Sequence, residues 1–104
     1  MDYLAYFAAG LFLTNGIPHF VNGISGRKFQ SPFASPPGVG ESSSLTNVVW
    51  GLINFVIGYL LLAGVGDFST GINLDALFFA IGVVVMALIL SWHFGRVREK
   101  NKLS

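Results

Sequence analysis

A chain of 104 residues supports one domain at most. It is 53% hydrophobic and 14% aromatic but only 11% charged, with a mean hydropathy of +0.66, and a soluble domain this small has too much surface for so little charge. The balance excludes an ordinary soluble enzyme, a basic nucleic-acid binder and a disordered tail, and the lack of cysteine excludes disulfides, thiolate metal sites and cysteine nucleophiles.

The apolar residues gather in three blocks, at about 3–21, 45–66 and 72–95. At 1.5 Å per residue each can cross a hydrocarbon core of about 30 Å, the first only just. Lipid offers the backbone no hydrogen-bond partners, so blocks of this length without strict alternation are read as helices. The expected fold is an all-α membrane protein with three transmembrane helices in a single domain over residues 1–104. The first block opens with Asp2 and lacks a basic leader, so it is read as a retained span. Within it Pro18 cannot donate to the carbonyl of Thr14, and Gly16 loosens the same turn, so the first helix is expected to kink or end there.

Residues 22–44 form a long loop rich in glycine, proline and serine, yet Phe29, Phe33 and Val39 make it too apolar for a free linker. It is expected to fold back onto the helices or to lie in the headgroup layer, with Ser42, Ser43 and Ser44 as candidate caps of the second helix. On that helix Asn47, Gly51, Asn54 and Gly58 recur at four, three and four, which places them on one narrow stripe. Asn15 and His19 share a face of the first helix with Ala5, Ala8 and Phe12. The short stretch 66–71 predicts a tight turn and an antiparallel hairpin of the second and third helices, with Ser69 or Thr70 as cap. On the third helix Ala76, Ala80, Ala87 and Ser91 share one face, and His93 lies nearly opposite with Gly82, Met86 and Ile89. If the alanine face packs inward, His93 faces outward.

Charge sets the expected orientation. All six basic residues are Arg27 and Lys28 in the first loop and Arg96, Arg98, Lys100 and Lys102 in the tail 96–104. The two spans that lie between them put both segments on one side, and the other side receives Asp2, Asp67 and Asp75. The positive-inside rule then makes the loop and C-terminus cytoplasmic and the N-terminus external, as in a bacterial inner membrane. The six basic side chains are expected at anionic headgroups.

Three functions compete. Small and polar stripes suit tight packing, so the leading expectation is a homo-oligomer or an accessory subunit of a larger membrane complex, packed through Gly51, Gly58, Ala80, Ala87 and Ser91, with the bilayer as its other partner and no nucleic acid. A second is a small oligomeric transporter or channel whose polar pathway runs by Asn15, His19, Asn47 and Asn54. A third is a membrane enzyme or a cofactor- or lipid-binding protein using His19 or His93, with haem or lipid as the ligands left open. No charged residue lies centrally in a span, which argues against carboxylate proton relays. No catalytic residue, metal site or cofactor is assigned, and a non-enzymatic role is preferred.

Overall fold

The computed structural model describes the backbone of residues 2–103 and the side chains of residues 2–101; Lys102, expected at the headgroups, has its side chain outside that range. Helix α1 spans Tyr3–Ile24, strand β1 Phe29–Gln30, strand β2 Glu41–Ser42, helix α2 Ser44–Ala63 and helix α3 Leu74–Leu103. All three helices are long and apolar enough to cross a membrane. The longest dimension, 47 Å, compares with roughly 40–45 Å for a bilayer including its headgroups.

Helix α1 sits between the other two, which scarcely touch each other. The expected packed hairpin of the second and third helices is therefore replaced by a three-helix layer with α1 in the middle. Glycine explains the choice. A Cβ on Gly16 would lie 2.9 Å from the carbonyl oxygen of Gly51, and one on Gly51 would lie 2.8 Å from the Phe20 nitrogen. On the other side, a Cβ on Gly10 would run into the Phe79 carbonyl, and one on Gly82 into the Phe7 carbonyl. Bare backbone lets membrane helices approach this closely. Helix α1 offers it in two directions, whereas Gly51 and Gly58 of α2 both face α1.

The face of α3 is the reverse of the sequence expectation. Gly82 and Val97 are buried and Met86 and His93 half-buried, while Ala80, Ala87 and Ser91 are exposed. Once Gly82 is seated on α1, the opposite face must turn away. The helix also continues through the basic residues to Leu103, so the expected tail is its last two turns. Helix α1 likewise runs through Pro18 to Ile24 rather than ending there. Close packing of Gly16 and Gly23 against α2 flanks the interrupted turn, and neighbouring helices commonly stabilise a proline within a span.

The loop folds back onto the helices. Phe29 pairs with Ser42 and Gln30 with Glu41 in an antiparallel ladder, and the hydroxyls of Ser31 and Ser42 lie 2.6 Å apart. Phe29, Gln30 and Ser31 are buried as a result. Of the three candidate caps Ser43 acts, its Oγ accepting from the Thr46 nitrogen at 3.1 Å. At the other end of the bundle Asn73, rather than Ser69 or Thr70, caps α3 by accepting from the Ala76 nitrogen at 2.9 Å.

Candidate functional site

The four polar residues singled out from the sequence form two bonded pairs between α1 and α2. Asn15 Nδ2 donates to Asn54 Oδ1 at 3.0 Å, and Asn54 Nδ2 donates to the Trp50 carbonyl at 2.8 Å. Asn47 Nδ2 faces three carbonyls, those of Phe29, Ser42 and Ser43, at 3.0–3.2 Å. Carbonyls only accept, so the amide nitrogen must point at them and Asn47 Oδ1 must point at His19 Nδ1, 2.7 Å away. His19 is thereby the donor at Nδ1, and in the neutral ring the lone pair resides on Nε2. Asn47 and Asn54 are fully buried, and these bonds tie their side chains to the protein rather than to an open path.

Beside His19 lies a chamber of about 210 Å³ under the folded loop. Asn15, Gln30, Ser31, Trp50 and His93 line it, Leu90 and Phe94 wall it, and no charged side chain borders it. His19 is 3% exposed and Gln30 4%, yet among the described residues nothing bonds His19 Nε2 or the Gln30 side-chain amide. The indole nitrogen of Trp50 is buried and also without a partner among the described residues. Left unsatisfied, the buried indole N–H costs about 1–3 kcal/mol, whereas the free His19 and Gln30 atoms keep contact with the space of the chamber.

His93, expected to face outward, reaches the same chamber. Its Nε2–H donates to the Gly38 carbonyl at 2.7 Å and so fastens the loop to α3. Gly38 has φ of +75°, a conformation that glycine adopts without strain. Two imidazoles fall short of the ligand number of ordinary protein metal centres, and no cluster of three or more His, Cys, Asp or Glu occurs among the described residues. The chamber's surface is mostly apolar, with a few uncharged polar groups at its wall.

Two neighbouring clefts share its walls. An apolar cleft of about 160 Å³, bordered by Leu11, Phe12, Asn54 and Met86, shares Asn15 and Trp50 with the chamber. A cleft of about 240 Å³ shares His93 and is bordered by Trp92, Arg96 and Lys100. There the Arg96 guanidinium lies 4.8 Å above the Trp92 ring. Arg27, Lys28, Arg96, Arg98 and Lys100 are all exposed, at the end of the bundle that carries the folded loop. Gly51 and Gly58 pack inside the chain, Gly58 against Leu13, whereas Ala80, Ala87 and Ser91 are exposed.

Gln30 had no signal in the sequence, because only the fold-back of the loop brings it beneath α1. Trp50 lies on α2 beside the Asn47–Asn54 stripe, and only the folded structure makes it a chamber wall. Gly10 and Gly82 carried a signal, glycine inside a span, that the alanine stripe outweighed. No family model matches the chain, and neither a curated protein nor a solved structure matches it.

Proposed function

We propose that this is a three-span protein of a bacterial plasma membrane that binds a small membrane amphiphile. The polar head occupies the chamber beneath the folded loop and the chain lies in the adjoining apolar cleft. The observation that carries this reading is the pair of nearly buried side chains, His19 and Gln30, whose polar atoms on one cavity have no partner among the described residues. The buried Trp50 indole N–H on the same cavity also has no partner among the described residues, and native interiors rarely leave such a group unmatched. The cleft of Leu11, Phe12 and Met86 supports it by giving an apolar chain a place beside the head. On this reading the N-terminus is external and the loop and α3 C-terminus cytoplasmic, with Arg27, Lys28, Arg96, Arg98 and Lys100 at anionic headgroups.

A second reading, a homo-oligomer or accessory subunit, is favoured by α3: only 6% of its apolar span is buried. The face with Ala80, Ala87 and Ser91 is then the one a neighbouring subunit would cover. The transport reading has less support, because Asn15, His19, Asn47 and Asn54 are bonded to each other.

A native mass spectrum of the protein released from its own membrane lipid tests the assignment. One amphiphile retained per chain at collision energies that strip annular lipid is the expected result. Bare chains, whether single or oligomeric, contradict amphiphile binding, and a bare defined oligomer carries the second reading.

A further inference from the structure

We infer that the amphiphile in this chamber is uncharged and bears a ring hydroxyl, the chemistry of a quinol, rather than an ionic phospholipid head. The inference rests on the binding role proposed above.

The chamber has no charged side chain on its walls, and Arg96 and Lys100 line the separate cleft beyond His93, so an ionic head seated in the chamber would give up hydration there without a counter-charge in contact, which is unfavourable. The polar atoms that do border it ask for something specific. The three carbonyls around Asn47 Nδ2 fix the direction of the Asn47–His19 bond and leave Nε2 of the neutral His19 ring as a lone pair with nothing to accept from. Gln30 adds an amide that both donates and accepts. A hydroxyl complements both, since its proton goes to an acceptor such as His19 Nε2 while its oxygen accepts from an amide.

The walls favour a flat ring behind that hydroxyl. The Phe94 ring centroid is 6.4 Å from that of His19 and 5.2 Å from that of His93, and Trp50 stands 6.5 Å from His19 at 70°. At these spacings the wall rings pack edge to face on one another, and the apolar surface they form suits a further ring. The chain then lies along Leu11, Phe12 and Met86, where the flexible thioether adapts to an irregular tail.

This arrangement separates the two redox forms of one molecule. A quinone carbonyl can accept from the Gln30 amide or the Trp50 indole N–H, but it gives His19 Nε2 no proton and sets one lone pair against another there. A quinol gives it the proton it lacks. The chamber therefore holds the reduced form more tightly, by about the tenfold that one net hydrogen bond provides.

The test uses the full-length protein in neutral detergent micelles, without oxygen. The probes are a decyl-chain benzoquinol, its quinone and its dimethyl ether, with phosphatidylglycerol as a charged competitor. The quinol is expected to bind about tenfold more tightly than the quinone or the ether, and phosphatidylglycerol is expected not to displace it. In His19→Phe the quinol should fall to the affinity of the quinone, whose own affinity stays unchanged. Equal binding of the three ring compounds, or tighter binding of the quinone, overturns the inference. Displacement by phosphatidylglycerol overturns it too but leaves amphiphile binding standing. If none of the four binds, both readings fail. The comparison within the wild-type protein decides the matter even where His19→Phe does not fold.

Discussion

Asn47 joins three parts of the chain through one side chain: His19 of α1, the Phe29 carbonyl of the first strand, and the Ser42 and Ser43 carbonyls that lead into α2. Its replacement by leucine leaves a buried imidazole N–H without its partner and removes the bonds to three carbonyls, and should cost about 2–5 kcal/mol. Asn47→Asp should be nearly as harmful despite its equal size, because a carboxylate has no proton for the carbonyls it would face. Asn54→Leu loses the bond from Asn15 and should cost less, about 1–2 kcal/mol. Reversible unfolding in mixed micelles measures all three, and an Asn54 variant weaker than the Asn47 variants would contradict this ranking. The sequence already showed that Asn15, His19, Asn47 and Asn54 fall on narrow stripes in spans where amides need partners. It did not show which partners, because the carbonyls that orient Asn47 come from a loop whose pairing depends on contacts far along the chain.

At the scale of the helices, α1 is central because it alone presents glycine on two sides. Gly82→Val should therefore push α3 from α1, since the side chain would meet the backbone of Phe7 rather than a movable group, and should cost about 3 kcal/mol or more. Gly95→Val is the matched control in the same helix, with open space around it, and should be tolerated. Spin labels at the exposed positions Leu4 and Leu77 report the result. Their separation should lengthen in the Gly82 variant and hold in the Gly95 variant; equal separations would dismiss Gly82 as the contact. The existence and approximate extent of the three helices were plain in the hydropathy. The face of α3 was not, because alanine and glycine both mark possible contacts and only the approach to α1 selects Gly82 over Ala80 and Ala87. Pro18 misled for a related reason: a proline ends an isolated helix more readily than one held by glycine contacts on either side of it.

At the scale of the whole molecule, three apolar spans leave the basic end with the folded loop and the acidic end with the link between α2 and α3. On the proposed orientation, Asp67→Cys should react with an impermeant maleimide added to intact cells, and Lys28→Cys only after permeabilisation. The native chain has no cysteine, so the labelling has no background from the protein itself; the opposite pattern would invert the topology. Composition made the membrane reading accessible from the start, since so few charges cannot solvate so small a domain. The chamber was hidden from it, because it arises where the loop, the histidine-bearing helices α1 and α3 and the Trp50 face of α2 meet. The most direct measurement of the central claim is nitrogen NMR of the His19 imidazole in micelles, with and without bound amphiphile. The account predicts a neutral ring protonated at Nδ1, with the Nε2 resonance moving when the chamber fills and Nδ1 nearly unchanged. A ring protonated at Nε2 instead, or an Nε2 resonance indifferent to the amphiphile, would contradict it.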